Sequence, residues 1–196
     1  MARPEIPHPR EQSLERINTF SDGIFAIIIT IMVLDLKKPE SATFHALGHL
    51  WPTWVSYIAS YIFIAIVWVN HHFLLKNAIR ATPMLIWANF GHMFVVSLIP
   101  FLTAWMAETR LEAVPVAIYA LDFFFVNLSY LGLIRQTVSH FPHESAKARR
   151  LFRLRSIGTL LLALSAVGLA FWHPGLGFSI VCCCFLLYLR PEAPGV

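Results

Sequence analysis

Charged residues are scarce in this sequence. Only 13% of the 196 residues are Asp, Glu, Lys or Arg and 57% are hydrophobic, whereas a soluble domain carries roughly 25% charged residues. Mean hydropathy is +0.64. These values exclude a soluble globular protein and predict an all-α integral membrane protein. Because each spanning helix needs about 20 apolar residues, the length allows six spans and no large soluble domain.

Cysteine is scarce as well, with three consecutive residues, Cys182, Cys183 and Cys184, inside an apolar run. Neighbouring side chains of a helix point in different directions, so no disulfide framework is expected and the thiols are predicted to act as small hydrophobes. Of the nine histidines, His71 and His72 are the one adjacent pair, and few others lie at their depth. We therefore predict neither a metal site nor another cofactor. No nucleophile and base are paired in the sequence, so no enzyme is predicted.

Six apolar segments predict six transmembrane helices. Their bounds are 14–36, 51–75, 84–107, 114–134, 151–172 and 175–189, the last being the shortest. Together they form one membrane domain, residues 14–190, between flexible cytoplasmic ends at residues 1–13 and 191–196, which are rich in proline. The "HPG" at residues 173–175 predicts a tight turn between the last two helices. The first segment lacks the small-residue cleavage site of a signal peptide.

Lysine and arginine outside the apolar segments are divided unequally. With a cytoplasmic N-terminus, the far side holds Lys37, Lys38 and Arg110, and the cytoplasmic side holds the other 12 of the 15. This imbalance predicts that both termini are cytoplasmic and that the protein lies in the cell membrane. It also accounts for the pI of 9.2 without a nucleic-acid partner. The basic cluster at residues 147–155 is predicted to anchor this topology and to contact anionic lipid.

Polar residues of three predicted helices lie at one depth, in the cytoplasmic half of the membrane. The set is Arg16, Ser21, Asp22, Trp68, Asn70, His71, His72, Trp87, Asn89 and His92. We expect Asp22 to accept hydrogen bonds from indole, imidazole or amide donors. Arg16 lies about 240° from Asp22 around the helix and is expected to pair elsewhere. Such a layer either staples helices together or takes part in gating, and the two roles are compatible.

Beyond these polar residues, the first segment carries a narrow aliphatic stripe. Ile27, Ile31 and Leu34 lie on one side at 100° per residue, with Thr30 as a hydroxyl beside them. The stripe fits either helix packing or a pore wall that closes by dewetting. Asp35 follows at the outer end, where a ring of acids would concentrate cations, partly opposed by Lys37 and Lys38.

Four stretches of the sequence carry a resemblance to a known family. They are "RINTFSD", which fits an Arg-x-x-x-Phe-Ser-Asp signature, "GIFAIIITIMVLDL", "WVNHH" and "WANFGHMFVVSLIPF". With them the chain resembles the prokaryotic members of the transmembrane protein 175 family, the family of the endo-lysosomal potassium channel. The resemblance is strong over segments one to four and extends to five and six by layout.

The resemblance implies a homotetramer in the lipid bilayer whose first helices line a K⁺-selective pore on the fourfold axis. This family has no Thr-Val-Gly-Tyr-Gly carbonyl filter, and that motif is absent here. The resemblance implies that Ile27, Ile31 and Leu34 form the constriction, where the family often has Leu. It also implicates Thr30 in selectivity, with K⁺ as the permeant ion.

The resemblance further implies a polar network around the signature. Its predicted members are Arg16, Phe20, Ser21, Asp22, Trp68, Asn89 and either His71 or His72, of which His71 is favoured. A rival from another class is a proton-coupled carrier, in which Asp22, the histidines and Asp122 relay protons. Inverted halves or paired broken helices, the usual signs of a carrier, are not visible in the sequence.

Overall fold

The fold is given by a computed structural model, which describes the backbone of residues 9–138 and 146–188 and the side chains of residues 13–137 and 153–188. Every regular element in these ranges is a helix. The helices are α1 (Pro9–Leu34), α2 (Phe44–His49), α3 (Trp51–Lys76), α4 (Pro83–Val96), α5 (Ile99–Glu108), α6 (Ala113–Val138), α7 (Ala146–Trp172) and α8 (Pro174–Leu186). The predicted all-α fold is confirmed.

Five stretches are long and apolar enough to cross a membrane. They are Ser13–Leu34, Trp51–Lys76, Pro83–Glu108, Ala113–Thr137 and Arg153–Trp172, and they match predicted segments one to five. The sixth segment appears as α8, which has 13 residues, fewer than the roughly 20 that a full span needs. Six spans and the cytoplasmic placement of both ends therefore stay predictions.

The ends of the chain differ in part from expectation. Helix α1 begins at Pro9, so the helix starts before residue 14, where the first predicted segment begins. A proline suits a first helical position because its missing N–H has no partner there. Residues 1–8 and the tail 191–196 lie outside the described residues, as do the side chains at 147–152 of the basic cluster.

The third predicted segment is one apolar span, Pro83–Glu108, but its helix is interrupted and forms α4 and α5. The break lies at Ser97 and Leu98, just before Pro100. Proline cannot supply the N–H that would bond to the carbonyl of Val96, and its ring crowds that turn. The hydroxyl of Ser97 instead donates to the carbonyl of Phe94 at 2.7 Å. The proline in "SLIPF", residues 97–101, is the sequence feature that could have predicted this break.

Helices α3 and α6 lie at the centre of the bundle, and α1 lies at its edge. The rings of Phe63 and Phe185 stack with centroids 5.2 Å apart, and Phe63 also meets Phe123 at 5.1 Å. Helix α1 packs on α3, α4 and α5. Only 22% of the apolar window of its span is buried, against 50% for α3. One side of α1 is therefore uncovered in the single chain.

Candidate functional site

The two sides of α1 differ in what they contact. Ser21, Phe25, Ile28 and Met32 recur at helical spacing and are at most 3% exposed. On the other side, the three residues of the aliphatic stripe are open. Ile27 is 57% exposed, Ile31 43% and Leu34 84%. The stripe therefore does not pack into the core of its own chain, and it is available to other copies.

Thr30 presents a hydroxyl oxygen on this open side. Its Oγ1 donates to the carbonyl oxygen of Ile27 at 2.8 Å, and the side chain is exposed. Because a hydroxyl has one hydrogen and two acceptor lone pairs, the oxygen is left as an acceptor. An exposed acceptor oxygen is what a cation needs in place of hydration water.

A crevice runs along the stripe, between α1 and the junction of α4 and α5. It has a volume of about 430 Å³, and its walls include Ile27, Ile31, Ser97 and Pro100. The break in the third span therefore lies beside the stripe.

Asp35 also lines this crevice and is exposed. Lys37, expected to oppose its charge, forms an ion pair with Glu108 at the end of α5. The positive charge of Lys37 is therefore balanced by Glu108, which leaves the carboxylate of Asp35 less opposed than the sequence indicated.

A chain of hydrogen bonds joins α3, α4 and α1 on the buried side. His71 Nε2 lies 2.7 Å from Asn89 Oδ1, Asn89 Nδ2 donates to Ser21 Oγ at 2.9 Å, and Ser21 Oγ donates to the Ile17 carbonyl at 2.9 Å. Because Asn89 Oδ1 only accepts, His71 Nε2 carries the proton. Each of these three side chains is at most 1% exposed. Of the two histidines, His71 makes the bond between helices.

The carboxylate of Asp22 has two donors. Trp68 Nε1 donates to Oδ1 at 2.8 Å, and Asn18 Nδ2 donates to Oδ2 at 3.4 Å. His72 lies against the Trp68 indole, with ring centroids 5.6 Å apart. The expected indole donor from another helix is found in Trp68, whereas the amide donor, Asn18, lies one turn away on α1 itself.

Two other residues predicted for this network lie at the surface of the chain. Phe20 is 48% exposed, and its ring packs on Phe90 of α4 with centroids 5.3 Å apart. Arg16 is exposed, so the structure places it on the outside of α1, away from the buried bonds of Ser21.

A second polar cluster, which the sequence analysis missed, joins α3, α5 and α6. Ser60 Oγ lies 3.0 Å from the Tyr119 hydroxyl and 2.7 Å from Thr103 Oγ1. All three are at most 6% exposed, as is Asp122 on α6. Within the described part of the chain, Asp122 Oδ2 has no hydrogen-bond partner. The sequence feature that could have predicted this cluster is the presence of hydroxyl residues inside apolar runs.

Comparison with known proteins places these features in a family. The family described as endosomal/lysosomal potassium channel TMEM175 matches residues 16–100, which include the signature, the stripe and His71. A potassium channel of Streptomyces collinus is 37% identical over 80% of this chain and 82% of its own length. A potassium channel of a Chryseobacterium species is 28% identical over 90% of this chain and 93% of its own.

Vertebrate proteins match a smaller share of their length. The endosomal/lysosomal proton channel TMEM175 of Danio rerio is 29% identical over 64% of this chain and 28% of its own. Among solved structures, a lysosomal potassium-selective channel TMEM175 homolog from Chamaesiphon minutus superposes with a TM-score of 0.76 at 25% identity. The match covers 90% of this chain and 96% of that one.

Proposed function

Because the chain belongs to the endosomal/lysosomal potassium channel TMEM175 family, we propose that it is a potassium-selective channel of the cell membrane. It passes K⁺ down the electrochemical gradient through a central pore. Its bacterial relatives are named potassium channels. Both termini lie in the cytoplasm, as the distribution of Lys and Arg predicts.

The open aliphatic stripe on α1 is the observation that carries this proposal. One stripe cannot enclose a pore, so copies of the chain must assemble around an axis, and closed symmetry is the rule for such assemblies. In a homotetramer, Ile27, Ile31 and Leu34 form three rings of four. Rings of bulky aliphatic side chains close a pore by excluding water. Only 22% of the apolar window of the α1 span is buried within its own chain. The helix therefore keeps the exposed surface that this assembly requires.

Selectivity in this pore rests on hydration rather than on a carbonyl filter. K⁺ rearranges its hydration shell at lower cost than Na⁺, and the four Thr30 oxygens substitute for part of that shell. Thr30 Oγ1 already donates its hydrogen to Ile27, so its lone pairs are free to meet a cation. Because each ring supplies few oxygens, the preference for K⁺ over Na⁺ is modest.

The buried polar residues hold the inner half of α1 in place. The bonds from His71 through Asn89 to Ser21 end on the backbone carbonyl of Ile17. They connect α1 to α3 and α4 at one depth, so a change in this layer is transmitted to the stripe as a rotation or shift of α1.

A proton-coupled carrier is the second candidate, and the names of the vertebrate relatives as proton channels favour testing it. The hydrogen bonds argue against a relay through the polar layer, because an amide and a backbone carbonyl do not pass a proton along a chain. Among the described helices, α4 and α5 form the one span with an internal break. A carrier would couple flux to a proton gradient and saturate, whereas a channel would not require that gradient.

The test is ion flux from liposomes containing the purified protein, measured in K⁺ and then in Na⁺. The unsubstituted protein should favour K⁺. Ile31→Asn should reduce this preference, since a polar side chain hydrates the constriction. Leu162→Asn on α7 is the matched control, because Leu162 has the same 43% exposure as Ile31 but lies on another helix.

The outcomes separate the two functions. Loss of selectivity in Ile31→Asn but not in Leu162→Asn supports the pore on α1. If both variants show the same preference for K⁺ over Na⁺, the stripe does not line the pore. Flux that appears only with an imposed proton gradient would replace the channel with the carrier and make Asp22 and His71 the next residues to change.

A further inference from the structure

Two histidines lie one turn apart on α2, the short helix between the first and second spans. His45 and His49 are four residues apart in this helix, so their side chains are neighbours on one side of it. Their rings meet edge to face with centroids 4.5 Å apart, the shortest ring separation among the residues that the structure describes. Both side chains are exposed, so ions in the surrounding water can reach them.

The contacts that hold α2 in place leave the two rings free. Thr43 Oγ1 accepts from the backbone N–H of Ala46 at 3.2 Å and caps the start of the helix. Arg110 Nη1, from the loop between α5 and α6, donates to the backbone carbonyl of His49 at 3.3 Å. In the described part of the chain, neither the His45 ring nor the His49 ring takes part in a hydrogen bond. Each neutral imidazole therefore has a bare nitrogen that can serve as a ligand.

Imidazoles at this spacing match the coordination chemistry of transition metals. Two histidines four residues apart on one helix hold Zn²⁺ in the H-E-x-x-H motif, and imidazole suits Zn, Cu and Ni. Zn–N distances of about 2.0–2.1 Å place two tetrahedrally bound nitrogens about 3.3 Å apart. Exposed side chains whose ring centroids are 4.5 Å apart can reach that separation by rotation.

The expectation of no metal site rests on the adjacent pair His71 and His72, whose side chains lie about 100° apart around α3. His45 and His49 differ from that pair in spacing. Within the described ranges, no group of three or more His, Cys, Asp or Glu side chains could hold a metal ion. Water therefore completes the shell of an ion bound by His45 and His49. Such an ion exchanges with solution, unlike the ion of a structural zinc site, which has four protein ligands.

We propose that His45 and His49 form a binding site for one divalent transition-metal ion, of the class of Zn²⁺, Ni²⁺ and Cu²⁺, on α2 of each chain. The site is separate from the stripe on α1, because no residue of α2 lines the crevice there, and it does not depend on the channel function. With the topology predicted from Lys and Arg, it faces the side of the membrane opposite the termini.

Calorimetric titration of the full-length protein in detergent, without a histidine tag, measures the site. Zn²⁺ should bind saturably at one ion per chain, whereas Mg²⁺ should not, because Mg²⁺ prefers oxygen ligands and keeps its waters. His45→Asn and His49→Asn should each lose this binding. His173→Asn is the matched control and should bind Zn²⁺ as the unsubstituted protein does, because His173 is also exposed but has no histidine four residues away.

An exchange of two neighbouring residues tests the spacing itself. Leu47→His combined with His49→Leu keeps the number of histidines but places the two on α2 about 200° apart around the helix, so Zn²⁺ binding should be lost. X-ray absorption at the zinc edge of the unsubstituted protein needs no variant, and it should show imidazole nitrogens at about 2.0–2.1 Å.

Three results would overturn the proposal. The first is Zn²⁺ binding that persists in His45→Asn, in His49→Asn or in the exchanged variant. The second is a zinc shell without imidazole. The third is an equal loss in His173→Asn, which would mean that scattered histidines bind the zinc.

Discussion

At the scale of single residues, the direction of each hydrogen bond near Ser21 follows from the groups that can only accept. The Ile17 carbonyl takes the Ser21 hydrogen, so Ser21 must accept from Asn89, and Asn89 Oδ1 must accept from His71. Every donor and acceptor in this chain therefore depends on the next. Losing one side chain leaves a buried polar group of the neighbouring side chain unpaired.

Ser21→Ala and Asn89→Ala test this dependence. Each removes a partner from a fully buried group, so each should lower the free energy of unfolding by about 1–3 kcal/mol. The double variant should lose less than the sum, because both substitutions break the same bond. Thermal or denaturant unfolding in detergent measures the three values. Ser179→Ala is the control, because the exposed Ser179 bonds only to its own helix at Gly175, and its effect should stay within about 0.5 kcal/mol. If the losses of the two single variants add exactly in the double variant, Ser21 and Asn89 do not belong to one chain of hydrogen bonds.

The sequence predicted the depth of these residues but not the rotation of α3. His71 and His72 lie about 100° apart around the helix, so only one of them can turn toward α4. A helix that is apolar on most sides gives no periodicity from which its rotation can be read. The donors to Asp22 could be predicted by type, whereas the choice of Trp68 and Asn18 depends on packing.

At the scale of the helices, apolar length predicted five spans closely and proline chemistry explains the main error. Ser97 and Leu98 lie between two strongly apolar stretches. Hydropathy averaged over a window therefore does not detect the break there. Pro100 was visible, but a proline inside a membrane helix gives a kink as readily as a break. The start of α1 at Pro9 was missed because residues 9–13 are polar and only their continuity with the span makes them helical.

Helices α7 and α8 approach each other through small residues, and Gly177 is one point of close approach. A Cβ at Gly177 would lie 2.8 Å from the carbonyl oxygen of Ala166 and 3.0 Å from Ala170 Cα. Both of these are backbone atoms, which cannot turn aside. Close backbone approach through small residues is a common mode of helix association in membranes.

Gly177→Ala should therefore force α8 away from α7 and lower the melting temperature by several degrees. Overpacking of this kind costs typically 1–3 kcal/mol, and about 1 kcal/mol corresponds to 2–4 °C in a chain of this size. Gly168→Ala on α7 is the matched control, because a Cβ there meets nothing within 4 Å. It should be neutral or slightly stabilising, since alanine favours the helix over glycine. Equal melting temperatures for the two variants would show that α7 and α8 are not packed this closely.

At the scale of the whole molecule, the exposed side of α1 is understood only when copies of the chain are considered together. Hydropathy predicts that α1 spans the membrane, but lipid and a closed aliphatic pore select for the same residue types, so Ile27 and Leu34 alone do not distinguish them. The family resemblance favours a pore, and the structure adds that the stripe is open in the single chain. The number of copies is not encoded in any one residue, and the homotetramer stays a proposal.

Assembly also gives Asp35 a role that a single chain cannot show. In the proposed homotetramer, four carboxylates would lie around the outer mouth of the pore, and such a ring concentrates cations. Lys37 pairs with Glu108 and so opposes the ring less than its position in the sequence indicated. The charges are exposed to solvent, where the screening length falls from about 30 Å at 0.01 M salt to about 10 Å at 0.1 M.

Asp35→Asn should therefore lower K⁺ flux severalfold at about 0.01 M salt and change it little near 1 M, where the screening length is about 3 Å. Flux measured across this range of ionic strength provides the test. Glu40→Gln removes another exposed acid outside the walls of the crevice along the stripe, so it should leave the salt dependence unchanged. An equal loss in Asp35→Asn at low and high salt would mean that the residue acts through local structure. A loss shared with Glu40→Gln would assign the effect to net surface charge, and the acidic ring would have to be abandoned.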